Sequence, residues 1–305
     1  MIHGVLNIYK EKGYTSHDVV AKLRGITGQK KIGHTGTLDP EAEGVLPVCL
    51  GRATKLCGLL TDKDKTYETV LLLGIKTDTQ DMTGNVLERN DTAHLTKQAV
   101  TDCIHTYIGE YQQLPPMYSA LKVGGKKLCD LAREGKTVER KRRSVQIHDI
   151  SILEMNLPRV KLRIDCSKGT YIRTLCHDIG DSLGTGGCME SLLRTQVERF
   201  VISKSHVLSE VEAYVKGDRL PEILTPIDQM FSEYQKAILK ESAVQLAYNG
   251  NPLEKKHFQG TWDPGLKKMF RVYDACGNFV GLYEYQQKTE KIKLIKMFYQ
   301  AEEQN

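Results

Sequence analysis

Hydrophobic and polar positions repeat along this chain with two periods, one typical of strands and one typical of helices. Residues 4–8, 67–73 and 159–166 carry the short apolar and alternating patterns of strands. After the third of these, Ser167-Lys-Gly169 turns the chain into a segment with helical spacing that ends at Gly184. The apolar residues of this predicted helix form one stripe: Ile172, Leu175, Cys176, Ile179 and Leu183.

An earlier helix is predicted after the first strand. Ser16 can serve as its N-cap, and Val19, Val20 and Leu23 share one face. Strands and helices alternate along the chain without strict order. The sequence therefore predicts the α+β class.

The end of the chain has a different character. A short helix is predicted over residues 241–248, and residues 270–274 and 279–285 form a hairpin candidate in β-rich sequence. The length of 305 residues favours two domains, which we place at residues 1–234 and 235–305. Neither an internal repeat nor a low-complexity linker is present, so we expect the two domains to pack against each other.

Positive charge is concentrated in one short window. The formal net charge is +5, yet residues 122–143 hold nine Lys or Arg against three acids, so the rest of the chain is close to neutral. A polyanion contact is predicted for this basic segment, about residues 115–145. The alternative is a solvated amphipathic helix, because Leu128 and Leu131 interrupt the charges.

Several classes of protein are excluded by composition. The hydrophobic fraction of 40% and the charged fraction of 27% are those of a globular chain. The eight cysteines form no C-x-x-C pair and the histidines are far apart, so no zinc signature is present. Residues 1–13 lack the apolar core of a signal peptide, and no apolar run is long enough for a membrane span. We therefore expect a cytoplasmic protein with free thiols.

Residues 28–44 contain four glycines and a proline, which predicts a structured loop. Gly28 to Thr35 resembles a phosphate-binding loop, but it lacks the lysine and follows a predicted helix, which argues against an NTPase. Asp39 precedes Pro40, an arrangement that also begins ordinary helices. The surrounding glycines favour an accessible carboxylate. The turn that contains Asp81 is predicted to be a polar hairpin turn and not a calcium loop.

Several further motifs occur in order along residues 2–202. They are Gly33-His-Thr-Gly-Thr-Leu-Asp-Pro40, Gly44-x-Leu-Pro47, Lys65-x-Tyr67, Gly74-x-x-Thr-Asp-Thr-x-Asp81, Pro115-Pro-x-Tyr-Ser-Ala-x-Lys122, Gly125-Lys-Lys and Cys166-Ser-Lys-Gly-Thr-Tyr-Ile-Arg-Thr174. Together they resemble the family of bacterial tRNA pseudouridine synthases that modify uridine 55 in the T-arm.

The resemblance implies roles for particular residues. Asp39 matches the catalytic aspartate, Tyr67 the tyrosine that stacks on the target base and takes part in proton transfer, and Arg173 the arginine that pairs with the aspartate. Substrate contacts are implied for four more residues: His34, Tyr171, Leu192 and Lys10. No metal or other cofactor is implied.

The resemblance also implies a fold and a partner. The expected catalytic domain has a mixed, mainly antiparallel sheet flanked by helices and loops, followed by a small β-rich PUA-like RNA-binding domain. The expected partner is tRNA, bound through its T-arm by a monomer that needs no other protein. The sequence departs from the family pattern around Lys10, at Cys129 and at Leu193, which replaces one of two adjacent arginines.

The chemistry agrees with this resemblance. Conversion of uridine to pseudouridine breaks the N1–C1′ bond and rejoins the base through C5 without redox change, so no cofactor is required. The nucleophile must be ionised, and we expect Arg173 to reverse the effect of burial and lower the pKa of Asp39. The base must be flipped out of its stack, and stacking on Tyr67 and Tyr171 offsets part of the cost. Attack at C6, attack at C1′ and elimination all remain open at this point.

Two other functions are compatible with parts of the pattern. A non-catalytic RNA-binding or tRNA-folding chaperone would use the basic segment and the tyrosines but would not need Asp39 with Arg173. A base hydrolase would release free uracil. A deaminase is excluded because its zinc motif is absent.

Overall fold

The computed structural model of the protein describes residues 1–260 and 268–299. The strands in chain order are β1 Gly4–Lys10, β2 Ile32–His34, β3 Glu43–Leu50, β4 Lys65–Leu73, β5 Ile75–Thr77, β6 Val86–Arg89, β7 Gly109–Gln113, β8 Lys122–Val123, β9 Lys126–Lys127, β10 Arg143–Asn156, β11 Arg159–Cys166, β12 Gly187–Val197, β13 Phe200–Val201, β14 Leu224–Thr225, β15 Gln235–Ile238, β16 Met269–Tyr273, β17 Phe279–Gln286 and β18 Lys291–Met297. The α-helices are α1 Ser16–Thr27, α2 Cys57–Thr61, α3 Lys97–His105, α4 Leu128–Arg133, α5 Ile172–Ser182, α6 Leu208–Lys216 and α7 Val244–Tyr248. None of the helices in the described part of the chain has the length and apolar character to cross a membrane.

A large sheet forms the centre of the fold. Its strands follow the order β14-β1-β3-β12-β4-β11-β10-β7, with β2 beside β3 and β13 beside β12. Neighbouring strands run antiparallel except β3 and β12, which are parallel and place Arg194 beside Gly44. The predicted fold class, α+β with a mixed and mainly antiparallel sheet, is therefore confirmed.

Helices cover the sheet and complete its cores. In α5, Leu175 and Ile179 pack with Ile164 of β11 in one buried cluster. A second cluster contains Leu23 of α1 and Leu46 of β3. Both clusters consist of the apolar positions that define the strand and helix periods, so burial of these faces holds the elements in place.

The predicted strands and helices before residue 184 occur, with one correction at α1. Thr15, and not Ser16, is the N-cap: its hydroxyl accepts from the Asp18 amide at 3.0 Å, and the Asp18 carboxylate accepts from the Thr15 amide at 2.8 Å. Ser16 instead hydrogen-bonds the backbone of Leu38, accepting from its amide at 2.8 Å. The predicted loop 28–44 also contains the short strand β2, which pairs with β3.

A second, four-stranded sheet lies in the C-terminal part, in the order β15-β16-β17-β18. All its strands follow residue 234, and β16 with β17 forms the predicted hairpin. Residues 261–267 and 300–305 of the segment 235–305 lie outside the described residues. This β-rich C-terminal unit agrees with the expected PUA-like architecture. It packs on the large sheet through a shared cluster that includes Val5, Leu282 and Phe298, as expected.

Candidate active site

Asp39 lies at the tip of the loop between β2 and β3. The loop is held at both ends: the Thr35 amide donates to the Pro47 carbonyl at 3.1 Å, and the Leu38 amide donates to Ser16 Oγ at 2.8 Å. At Gly44, where the chain enters β3, φ is 105°, and an added Cβ would lie 2.2 Å from the Arg194 carbonyl oxygen. Glycine is therefore required there, since both the backbone angle and the close strand leave no room for a side chain.

Arg173 comes from the first turn of α5 and meets Asp39 as the sequence predicts. Its Nε lies 3.0 Å from Asp39 Oδ2, and its Nη2 lies 3.4 Å from Asp39 Oδ1. The arginine side chain is 6% exposed, whereas the aspartate side chain is 40% exposed. The pair is thus anchored on its arginine side and open on its carboxylate side.

The pKa of Asp39 does not follow the sequence-based expectation. Burial raises it, and the opposing effect of Arg173 does not restore the ordinary value. The carboxylate of Asp81 also raises the pKa of Asp39, because it adds a like charge to the site. The expectation of a lowered pKa was wrong because burial outweighs the effect of Arg173 and because Asp81 adds a second negative charge.

The two predicted stacking tyrosines reach the site from different elements. Tyr67 lies in β4 and is buried, which raises the pKa of its phenol. Tyr171 directly precedes α5, where its amide donates to Gln113 Oε1 at 2.8 Å and its carbonyl accepts from Gln113 Nε2 at 2.9 Å. Burial raises the pKa of Tyr171 as well, so both phenols stay neutral at ordinary pH.

His34 ends β2, just before the loop that carries Asp39, and Leu192 lies in β12. His34 is half-buried, and its Nδ1 accepts from the Gly36 amide at 3.3 Å. Burial, together with the charge of Arg194, lowers the pKa of His34, so the imidazole is neutral. Leu192 lines a cavity of about 470 Å³ together with Asp39 and Asp81. Tyr67, Tyr171 and His34 do not line this cavity.

Lys10 lies beneath the loop and not on its open side. It is fully buried, and its ammonium donates to the carbonyls of Tyr14 at 2.6 Å, Pro40 at 3.1 Å and Glu11 at 3.2 Å. Burial lowers the pKa of Lys10 to about 8. The side chain thus holds the peptide next to Asp39, a geometry that suits a supporting residue better than a substrate contact.

Sequence reasoning missed Asp81. The hairpin turn between β5 and β6 is present as predicted, but Asp81 Oδ2 lies 3.5 Å from Arg173 Nη1. Its other oxygen accepts from the Thr83 amide at 3.0 Å and from Thr79 Oγ1 at 2.7 Å. The turn is held on β12 by the Met189 amide, which donates to the Gln80 carbonyl at 3.0 Å. In the sequence, the available signal was a second aspartate in a threonine-rich turn. Its contact with Arg173 could not be predicted, because it depends on the packing of the turn against β12.

Sequence reasoning also missed Arg194 and the backbone of Tyr118. Arg194 is buried in β12 directly opposite Tyr67 of β4, and its Nε donates to the Val45 carbonyl at 2.7 Å. The Tyr118 carbonyl accepts from Arg173 Nη2 at 2.8 Å. The motif around residues 115–122 thus contacts the catalytic arginine candidate through its main chain.

The basic segment borders this site. It forms the β8–β9 hairpin, the short helix α4 and an irregular stretch before β10. Leu128 and Leu131 are buried, while the Lys and Arg side chains are exposed except Arg140, which is half-buried. The Cys129 amide donates to the Ser119 carbonyl at 3.0 Å, which fixes the segment next to the Tyr118 backbone. The amphipathic helix of the alternative prediction is therefore present as the short α4, and the cations face solvent beside the candidate site.

Comparison with known proteins places this geometry in a family. The model described as TruB family pseudouridylate synthase (N terminal domain) matches residues 24–172, and the model of the tRNA pseudouridylate synthase B C-terminal domain matches residues 173–232. The chain belongs to the TruB family of pseudouridine synthases. It is 51% identical to tRNA pseudouridine synthase B of Lachnoclostridium phytofermentans over 97% of this chain and all of that one. It is 42% identical to the protein of the same name from Clostridioides difficile, with 96% and 99% covered.

Solved structures support the same TruB-family fold. A Cbf5-Nop10-Gar1 complex matches with a TM-score of 0.71 at 26% identity, over 97% of this chain and 85% of that one. An H/ACA RNP bound to a substrate RNA that contains 2′-deoxyuridine matches with a TM-score of 0.72 at 24% identity, over 98% and 86%. The second likeness concerns the fold alone.

Proposed function

We propose that this TruB-family chain isomerises uridine 55 in the T-arm of tRNA to pseudouridine. The observation that supports this most is the Asp39–Arg173 ion pair, in which a buried arginine presents a partly exposed carboxylate. The relatives that share about half of the sequence carry the name tRNA pseudouridine synthase B. Membership in the family and the charged pair thus point to the same reaction.

Each residue of the site has its own role in the proposed reaction. A stacked uridine cannot reach Asp39, so the nucleotide must be flipped out at a cost of a few kcal/mol. Stacking on Tyr67 and Tyr171 returns about 1 to 3 kcal/mol per base. Asp39 supplies the nucleophilic carboxylate and Arg173 stabilises its charge. Tyr67 takes part in proton transfer, while His34 and Leu192 shape the space around the nucleotide.

Lys10 has a positioning role in this proposal. Its ammonium binds three carbonyls, and one of them belongs to Pro40, the residue after Asp39. Its charge also lowers the pKa of Asp39. Lys10 therefore supports the nucleophile from below the loop and does not touch the substrate.

The basic segment is proposed to bind T-arm phosphates. Its exposed cations lie next to the site, since the Cys129 amide donates to the Ser119 carbonyl and the neighbouring Tyr118 carbonyl accepts from Arg173. Neutralising phosphates releases counterions, so binding weakens steeply with salt. Residues 235–305 form the PUA-like RNA-binding domain of the proposal, contacting the acceptor end of tRNA.

We further propose that the protein acts in the cytoplasm as a monomer without an obligate protein partner. Support comes from the chain itself, which carries the charged site and a basic segment beside it. Purified protein and a tRNA transcript should therefore be sufficient for the reaction. Light scattering at the assay concentration measures the oligomeric state.

The decisive experiment follows tritium release from 5-tritiated uridine in a T-arm transcript and maps the product with carbodiimide. We expect release in proportion to one modified site, at uridine 55. Asp39→Asn should abolish release. Asp62→Asn is the matched control, because Asp62 is an exposed carboxylate paired with Lys168 and undergoes the same chemical change.

The competing functions give different results. A tRNA-folding chaperone releases no tritium but still changes the structure of the transcript, and this outcome would refute the proposal. A base hydrolase yields free uracil, which chromatography of the product detects. Modification at another uridine would preserve the reaction and refute the assigned position.

A further inference from the structure

Arg194 is a fully buried arginine without an acidic partner. Across residues 1–260 and 268–299, no carboxylate lies within ion-pair distance of its guanidinium. Its Nε donates to the Val45 carbonyl at 2.7 Å, and its Nη2 lies 3.4 Å from the Gly36 carbonyl. Tyr67, also buried, lies directly opposite Arg194 across the antiparallel pair of β12 and β4.

A charge in this position needs an explanation. Removing a cation from water costs several kcal/mol, and buried cations are normally paired with an acid. Two carbonyl dipoles compensate only part of that cost. Tyr67 is the ionisable group directly opposite Arg194 in the sheet, so its phenolate is the anion that this guanidinium is placed to stabilise.

The β-sheet fixes the contact. Arg194 of β12 and Tyr67 of β4 are directly opposite partners in an antiparallel pair. The two carbonyls that Arg194 binds belong to the loop region on either side of Asp39. One side chain thus connects the candidate proton-transfer residue with the loop that carries the nucleophile.

We propose that Arg194 is a positioning residue for Tyr67: its guanidinium donates to the phenolic oxygen, directs the O–H hydrogen away from itself, and stabilises the phenolate. The proposal rests on the proposed function, in which Tyr67 takes part in proton transfer. In that step the neutral Tyr67 phenol first gives its O–H proton to water, which forms the phenolate. A substrate C–H bond then breaks, its electron pair stays on the substrate, and its proton forms the new Tyr67 O–H bond.

The surrounding charges determine the sign of the effect. Burial raises the pKa of Tyr67, as does the negative charge of Asp39, while Arg194 lowers it. Lys10, Lys65 and His34 also lie within electrostatic reach of Arg194, and each has a pKa lowered chiefly by burial. Weakening the interaction between Arg194 and Tyr67 should therefore raise the pKa of Tyr67 further.

The test measures the single-turnover rate of pseudouridine formation against pH for Arg194→Lys. Lysine keeps the charge but cannot reproduce the guanidinium geometry. We expect the rate at neutral pH to fall by about 10- to 100-fold and the rising limb of the profile to move to higher pH. The affinity for T-arm RNA should stay within about twofold. Arg199→Lys is the control, since Arg199 pairs with Glu198 and lies near the surface.

Two further measurements separate positioning from folding. Fluorinated tyrosine at position 67 has a more acidic phenol. In Arg194→Lys it should therefore move the rising limb of the pH–rate profile back to lower pH, toward its position in the unsubstituted protein. In a Tyr67→Phe background, Arg194→Lys should have little additional effect on the rate.

Several results would contradict the proposed role of Arg194. A folded Arg194→Lys with an unshifted profile would overturn the proposal, as would an equal loss in the Tyr67→Phe background. If Arg194→Lys does not fold, fluorotyrosine in the otherwise unsubstituted chain must still shift the limb to lower pH, and no shift would overturn it. Failure of the proposed function looks different, because the unsubstituted protein would then form no pseudouridine.

Discussion

In Asp81→Asn, the second carboxylate that contacts Arg173 becomes a neutral amide. Asp81 is 13% exposed, and its Oδ2 lies 3.5 Å from Arg173 Nη1. The amide oxygen can keep the hydrogen bonds from the Thr83 amide and Thr79 Oγ1. The amide nitrogen then faces the guanidinium, so an attractive contact becomes a contact between two donors.

The magnitude follows from the distance. Two unit charges 3.5 Å apart interact by about 5 kcal/mol at an effective dielectric constant of about 20, before desolvation. Arg173 keeps Asp39 and the carbonyls of Thr79 and Tyr118 in the variant. We therefore expect a loss of about 1.5 to 3 kcal/mol in the free energy of unfolding, typical of one hydrogen bond to a charged group.

Asp81→Asn should also change the pH dependence of the reaction, because it changes the pKa of Asp39. Asp81 raises the pKa of Asp39, so its removal lowers that pKa. In the proposed function, activity requires the Asp39 carboxylate, so we expect it to fall as the pH decreases through the pKa of Asp39. The acid limb of Asp81→Asn should therefore move to lower pH, while the plateau rate falls about tenfold or more because Arg173 is less firmly held.

Tritium release under single-turnover conditions between about pH 4 and pH 9 measures the acid limb and the plateau rate, because the ordinary aspartate pKa is about 3.9 and that of Asp39 is raised above it. Asp78→Asn is the matched control: Asp78 lies in the same turn, is exposed, and accepts from the Asn85 amide without contacting Arg173. An acid limb that stays in place or moves to higher pH in Asp81→Asn would refute the account of the shared arginine.

Three further predictions concern the loop, its anchor and the basic segment. Gly44→Ala should lower the free energy of unfolding in chemical denaturation by more than the ~1 to 2 kcal/mol of backbone strain expected for Gly135→Ala, where φ is also positive but space is open. Ser16→Ala should reduce the rate as well as stability, because it leaves the buried Leu38 amide unpaired at a cost of about 1 to 3 kcal/mol. Thr15→Ala, which removes the cap of α1, should affect stability alone. Replacing Lys141 and Arg143 together by neutral residues should reduce the slope of log affinity against log salt by about 1 to 2. Replacing the exposed Lys97 and Lys204 together in the same way should leave the slope unchanged.

The sequence predicted elements whose signal is local. β11 has the predicted bounds, and α5 ends where its apolar stripe meets Gly184. The pairing of Asp39 with Arg173 also agreed with expectation, but that expectation came from the family resemblance and not from periodicity. The loop's short strand β2 was not predicted, because three residues with two glycines nearby carry too little pattern.

Other features depend on contacts that local patterns do not encode. Asp81 gains its role only because its turn docks on β12, and Arg194 gains its role from the register of β12 on β4. The direction of the Asp39 pKa shift depends first on how deeply the folded chain buries the loop, and then on the charges of Arg173 and Asp81 beside it. Ser16 and Thr15 are adjacent and chemically similar, so only the geometry of α1 separates the cap from the loop anchor.

The unequal exposure of the Asp39–Arg173 pair has a consequence for reactivity. Arg173 is buried and directed by two carbonyls and a second acid, so it cannot follow a moving substrate. Asp39, with 40% of its side chain exposed, can be approached by a flipped nucleotide while its charge remains stabilised from behind. A buried aspartate with an exposed arginine would protect the carboxylate instead. The site is therefore suitable for a nucleophile because the arginine is the buried partner and the aspartate the exposed one, and not because of an ion pair alone.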